Sequence, residues 1–159
     1  MIVGIIHLKF KVEIIEETAL KEYCSWKEVE LLTTVVADNL KKSDKKYNVI
    51  LGITNGGVIP ARLMARDLDI NRIQFIPIRN KKLQKDEMPK LHKDKKYLIV
   101  DDIYDTGNTF YKVYDLIKEF NCDFAFLMCR YKQNSSILVG KILNHEKWIV
   151  FPWERRNRQ

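Results

Sequence analysis

Residues 97–109 read Tyr97-Leu-Ile-Val-Asp-Asp-Ile-Tyr-Asp-Thr-Gly-Asn-Thr109. An apolar run of strand length ends in two adjacent carboxylates, Asp101 and Asp102, and a third, Asp105, follows three residues later. Thr106, Gly107, Asn108 and Thr109 then lead into Phe110, Val113, Tyr114 and Ile117, which recur at helical spacing. A helix start presents unpaired N–H groups and the positive end of its dipole, so this junction is an anion site in waiting. Gly107 lets a phosphate approach the backbone closely. The acids cannot serve that phosphate; they suit hydroxyl groups or a divalent cation, which takes oxygen ligands. A phosphate cup beside hydroxyl-seeking acids outlines a sugar phosphate.

The chain around this stretch alternates strands with helices. Leu8, Phe10, Val12 and Ile14 alternate with charged residues and predict a half-buried strand. Ser25 and Glu28 have capping-box spacing, and Val29, Leu32, Val36 and Leu40 then mark one apolar helical face that the Lys41–Lys46 run ends. Asn48 to Thr54 is apolar enough for a strand buried on both faces. Asn55-Gly56-Gly57 is a turn signal, and Pro60 opens a helix reaching about Leu68. Further strands are predicted over 73–78, 97–101 and 124–129. This alternation implies right-handed crossovers and a mainly parallel sheet with helices on both faces. Ligands of such sheets bind beyond the carboxyl ends of the strands, which selects the loops after Thr54 and Asp101.

A chain of 159 residues suits one domain, and 46% hydrophobic with 31% charged residues excludes a disordered or collagen-like chain. Three cysteines (Cys24, Cys122, Cys129) without a CxxC pair argue against a disulfide framework or zinc site. His7, His92 and His145 lack metal-ligand spacing. No apolar run has the length of a membrane span, and the apolar start does not read as a signal peptide, so a cytoplasmic setting is expected. The net charge of +7 suits a polyanionic partner or a phosphorylated metabolite. Residues 79–96 hold eight Lys or Arg against three Asp or Glu, a net +5, and read as a long basic loop or flexible flap.

The stretch 97–109 resembles the phosphoribosyl-pyrophosphate signature of type I phosphoribosyltransferases. Ile50 to Leu68 is similar to the pyrophosphate-loop strand and helix of the bacterial xanthine-guanine and hypoxanthine members. Lys147-Trp-Ile-Val-Phe-Pro-Trp-Glu154 resembles the tail that closes over a purine there. The resemblance implies one α/β domain over 1–159, with a central, mainly parallel sheet, a basic flap over 79–96 and a base-covering hood over 132–159. Residues 1–24 would be an extra N-terminal strand segment. It implies that Asp101 and Asp102 hold the ribose hydroxyls, that Asp102 and Glu154 sit at a magnesium ion, and that Asp105 takes the proton from the attacking purine nitrogen or stabilises it. Thr106, Gly107, Asn108 and Thr109 would hold the 5-phosphate, and Asn55, Gly56 and Gly57 the pyrophosphate. Trp148 would stack on the base and the Ile149 backbone would read its edge.

Two departures stand out. Asn55 occupies the place of a common arginine, with Arg79, Lys81 and Lys82 as candidate replacements. The base-reading cation is Arg130 or Lys132, which share a face by strand parity; Lys132 is preferred, because Lys-Gln-Asn-Ser resembles the family's lysine and polar turn. The implied activity is purine salvage: phosphoribosyl transfer to hypoxanthine, guanine or xanthine, giving a nucleoside monophosphate and pyrophosphate. Neither a membrane nor a nucleic acid is the expected partner, and a homodimer or homotetramer is. The alternatives are a transferase for another base such as adenine, a nucleotide-sensing regulator that binds RNA, and an inactive scaffold. Taken singly, each feature has a plainer reading: a solvated Asp-Asp turn, an ordinary glycine turn, tryptophans in a core.

Overall fold

A computed structural model describes residues 20–131 and 136–154. The predicted strand over 8–14 and Lys132 lie outside them. The described residues divide into two compact units, one from residues 20–28 and 145–154, the other from residues 29–131 and 136–144.

The larger unit is built on a five-stranded sheet in the order β3-β2-β6-β7-β8. Its strands are β2 (Val49–Ile53), β3 (Ile73–Ile76), β6 (Lys96–Tyr104), β7 (Asn121–Arg130) and β8 (Ile137–Leu143). All four pairings are parallel. Helix α1 (Trp26–Lys42) supplies most of its length to this unit, joined by α2 (Val58–Asp67) and α3 (Asn108–Ile117). Period-two alternation sorts the core into two layers. Ile50, Leu98, Val100 and Ala125 meet Val36, Ala37 and Leu40 of α1 and Ala61, Met64 and Ala65 of α2. Leu51, Ile53, Ile99, Phe124 and Phe126 face the other way, onto Phe110, Val113 and Ile117 of α3.

Several elements differ in extent from their sequence reading. Strand β6 runs on to Tyr104, so Asp101 and Asp102 lie within it rather than at its end. Helix α2 opens at Val58, which makes Pro60 its third residue; that position also leaves the missing proline N–H without cost to the ladder. The apolar run predicted as one strand over 73–78 breaks at Pro77 into β3 and β4 (Ile78–Arg79). Residues 79–96, read as a flap, begin with a hairpin in which β4 pairs antiparallel with β5 (Lys82–Leu83). Its two turn residues, Asn80 and Lys81, have φ of 49° and 60°, the left-handed pair that a tight hairpin turn requires. Ile78, Leu83, Met88 and Leu91 pack this segment against the core beneath α3, so it is anchored along its length.

The smaller unit pairs β1 (Lys21–Tyr23) parallel with β9 (Trp148–Val150). Ser25 Oγ accepts the Glu28 N–H at 3.1 Å, capping the start of α1 as its spacing predicts. Phe151 stacks on Trp153 at 4.9 Å between ring centroids, and Trp26 lies 5.9 Å from Trp153. Among the described residues no helix is long and apolar enough to cross a membrane.

Candidate active site

The carboxyl ends of β2, β6 and β7 bring three predicted segments to one end of the parallel sheet. The turn after β2 holds Asn55, Gly56 and Gly57, and the Thr54–Asn55 peptide bond is cis. Its glycines answer to space. A Cβ on Gly56 would lie 2.4 Å from Asp102 Oδ2, so the Asp102 carboxylate rests directly on the glycine loop. Adjacent strand residues point to opposite faces, which turns Asp102 toward this loop and Asp101 away from it.

Asp101 and Asp102 are both buried. Asp101 Oδ1 accepts the Asp102 N–H at 2.9 Å, and Asp102 Oδ1 accepts the Ile103 N–H at 2.7 Å. Burial, and then the neighbouring Asp102 charge, push the Asp101 carboxyl well above the usual carboxylate range. Two buried acids side by side are a poor arrangement for a fold and a good one for receiving hydroxyl donors or a cation.

Beyond β6, Asp105 and Thr106 form the bend that enters α3. Gly107 caps the helix with φ of 84°, a conformation that favours glycine. The Asn108 N–H reaches Thr106 Oγ1 at 3.4 Å, and the first helical bond runs from the Tyr111 N–H to Gly107 O. The Thr109 and Phe110 N–H groups therefore have no acceptor within the helix and point out of its start. No acidic residue occupies that first turn, which keeps its positive end open to an anion.

Arg130, at the end of β7, donates from Nε to Asp105 Oδ1 at 2.7 Å. The arginine side chain is 7% exposed and the aspartate 40%. The pair sets a carboxylate and a guanidinium side by side at the site's edge. Arg130 was the less favoured of two cations in the sequence, and its pairing with Asp105 could not be read there. Arg79, a candidate to replace the loop arginine, is bound through both terminal nitrogens by Glu87, which raises its pKa and lowers that of Glu87.

In the smaller unit, Trp148 is exposed and Ile149 is buried. The Trp148 N–H donates to Leu20 O at 2.8 Å, and Val150 O accepts the Cys24 N–H at 3.0 Å. Alternate residues of a strand bond the same neighbour, so the Ile149 N–H and C=O face away from β1. Glu154 Oε2 accepts the Phe151 N–H at 2.9 Å. Among the described residues no group of three or more His, Cys, Asp or Glu forms a protein-only metal cage.

Comparison with known proteins agrees with this layout. Residues 20–155 match the family model described as the phosphoribosyl transferase domain. A xanthine-guanine phosphoribosyltransferase of Desulfotalea psychrophila is 31% identical over 143 residues, covering 84% of this chain and 86% of that protein. The crystal structure of a purine phosphoribosyltransferase from Pyrococcus horikoshii has a TM-score of 0.66 at 31% identity, covering 86% of this chain and 95% of that one. A Neisseria gonorrhoeae protein solved with bound ppGpp shares the fold, with a TM-score of 0.70 at 19% identity over 86% of this chain and 90% of its own. With the family model covering most of its length and the parallel sheet carrying the expected loops, the chain belongs to the phosphoribosyltransferase family and is an enzyme of the glycosyltransferase type.

Proposed function

We propose that the protein transfers the phosphoribosyl group of phosphoribosyl pyrophosphate to a 6-oxopurine, in purine salvage, in the cytoplasm. The observation that carries this reading is the Arg130–Asp105 pair beside the open start of α3. A 6-oxopurine offers an N–H and a neighbouring carbonyl oxygen. Asp105 is the acceptor for the first, and the guanidinium, which carries only donors, suits the second. Adenine presents an amino group where the oxo group stands, and a donor facing a donor is rejected. We accordingly assign base reading to Arg130; Lys132, the cation preferred on sequence, lies outside the described residues. The names of the relatives, xanthine-guanine and purine phosphoribosyltransferases, support the same substrate class.

The chemistry follows from the charges. The purine ring nitrogen attacks the sugar carbon while the bond from that carbon to pyrophosphate breaks, and the bonding pair leaves with pyrophosphate. The ring proton passes to Asp105, which acts as general base. Asp101 and Asp102 hold the ribose hydroxyls. Thr106, Gly107, Asn108 and Thr109 hold the 5-phosphate at the helix start, and Asn55, Gly56 and Gly57 hold the pyrophosphate through backbone N–H groups. Trp148 and Ile149 are assigned to the base by resemblance, and the outward-facing Ile149 peptide groups support an edge-reading role.

Magnesium fits this donor set. It takes hard oxygen ligands and is usually held by one or two carboxylates plus substrate phosphates, not by a protein cage. Asp102, resting on the glycine loop, would hold it; Glu154 is assigned to the ion by resemblance alone. When bound, the ion supplies neutralising charge to the pyrophosphate.

The test is pyrophosphate release from phosphoribosyl pyrophosphate and magnesium with hypoxanthine, guanine, xanthine, adenine or uracil. Release with a 6-oxopurine and not with adenine is the expected result. Release with adenine or uracil alone overturns the base assignment. Silence with all five, despite measurable donor binding, overturns the enzyme reading and leaves a nucleotide sensor, for which RNA is the next ligand.

A further inference from the structure

Thr54 joins the end of β2 to the glycine loop, and its side chain points to the start of the β4–β5 hairpin. Its backbone N–H donates to Ile76 O at 3.0 Å. Its hydroxyl oxygen accepts the Ile78 N–H at 2.9 Å and lies 3.3 Å from both the Ile76 and Ile78 carbonyls. A hydroxyl has one proton, so it donates to one of these carbonyls at a time while accepting from Ile78. Ile78 is the first residue of the β4–β5 hairpin, and Asn55 follows Thr54 directly. One hydroxyl therefore ties the start of the hairpin to the start of the pyrophosphate loop.

The hairpin is tied at its other end too. Lys112 Nζ donates to the Lys81 carbonyl at 2.9 Å, and Lys112 lies one turn into α3, whose start is the phosphate cup. The hairpin thus spans from one anion loop to the helix of the other. It carries three cations in four residues: Arg79, Lys81 and Lys82. Arg79 is taken up by Glu87, while Lys81 and Lys82 are exposed. The loop itself has Asn55 and no cationic side chain.

We propose that Thr54 is a positioning residue for the pyrophosphate end of the donor. Its hydroxyl fixes the hairpin against the glycine loop, so that loop N–H groups and hairpin lysines act as one anion-binding unit. The proposal rests on the donor reading above. It makes the hairpin the source of the positive charge that position 55 lacks.

The experiment measures donor binding by calorimetry, with phosphoribosyl pyrophosphate and magnesium and no purine. Four proteins are compared: the wild type, Thr54→Val, the double hairpin variant Lys81→Gln/Lys82→Gln, and the combination of all three substitutions. Thr54→Val and the hairpin variant should each weaken binding about tenfold, the factor that corresponds to 1.4 kcal/mol. Their combination should lose little more than either alone, because both disable one unit; groups that do not interact lose the product, about a hundredfold. Thr54→Ser keeps the hydroxyl and should bind like the wild type, and in turnover assays Thr54→Val should raise the KM of the donor but not that of the purine. Thr54→Ala takes the place of Thr54→Val if the latter does not fold. Multiplicative losses, or no loss in either variant, overturn the coupling. A wild-type protein that does not bind the donor overturns the donor reading itself.

Discussion

Asp101 carries its carboxyl group where a charge has almost no access to water. Burial and the Asp102 charge raise its folded-state pKa above the ordinary 3.8. Below the unfolded value the group is neutral in both states and costs nothing. As pH rises from there toward the folded value, the unfolded chain ionises and the folded one resists, so stability falls. Asp101→Asn keeps an oxygen to accept the Asp102 N–H and removes the titration. The variant should therefore melt higher than the wild type at neutral pH, and the two should converge near pH 3. A gain of about 1 kcal/mol would read as a rise of roughly 2–4 °C. On the proposed reading, in which Asp101 receives the ribose hydroxyls, the same variant should also lose donor affinity. Equal melting temperatures at neutral pH would mean that Asp101 is no burden to the fold. Arg130 poses the opposite case, a buried cation whose partner is half open to water. Arg130→Leu keeps apolar bulk and removes every donor. Hydrogen bonds to charged groups contribute about 1.5–3 kcal/mol, so the purine KM should rise roughly 10- to 100-fold with donor affinity unchanged. A purine KM that stays constant would return the base-reading role to another residue.

At the scale of elements, the site is a set of loops whose shapes are fixed by what lies beneath them. Gly56 shows this most sharply, because a methyl group there would have to displace the Asp102 carboxylate. Gly56→Ala should cost the donor tenfold or more in affinity, by calorimetry, while overpacking at one loop costs about 1–3 kcal/mol of stability. Unchanged affinity would separate the glycine loop from Asp102. How much of this was legible beforehand depended on the range of the contacts. The apolar faces of α1 and α3, the buried run of β2 and the strand–turn–helix at 97–109 repeat over many residues, so local periodicity revealed them. The hairpin was not legible: its strands have two residues each, and Asn80-Lys81 lacks the glycine that announces such a turn. β8 reads Ile-Leu-Val-Gly-Lys-Ile-Leu, with apolar residues on both faces and a lysine and a glycine inside, and it has no alternation to reveal it. The Arg130–Asp105 contact joins the ends of two strands through their parallel register, and strand parity alone left Arg130 and Lys132 equivalent.

At the scale of the larger unit, the parallel sheet separates the candidate site from a second polar cluster. The glycine loop, the start of α3 and the Arg130–Asp105 pair gather at the carboxyl ends of the strands. A second polar cluster holds the amino ends. Tyr47 donates to Asp123 Oδ2 at 2.7 Å, and Lys45 and Lys96 reach the same oxygen at 3.2 Å and 3.3 Å. The Lys96 ammonium also sits 5.3 Å over the Tyr47 ring; the Asn48 N–H donates to Lys96 O and Asn48 Oδ1 accepts the Lys96 N–H, each at 2.8 Å. Asp123 lies seven residues before Arg130 along β7, about 23 Å at strand rise, so its titration should leave the chemistry untouched. Burial alone would raise the Asp123 pKa, but the bonds from Tyr47 and Lys45 and the charge of Lys96 outweigh it and hold the value below the ordinary 3.8. A lowered folded pKa contributes stability above the unfolded value, and that contribution is lost as pH falls through the folded one. The wild type should accordingly lose stability as pH falls below about 4 in urea titrations, where unfolded and then folded Asp123 take up protons. Asp123→Asn should be less stable at neutral pH, with a flatter acid limb and wild-type kcat and KM. An acid limb as steep in the variant as in the wild type would place the acid sensitivity of the fold in other carboxylates. A fall in kcat would show that the two ends of the sheet are coupled after all.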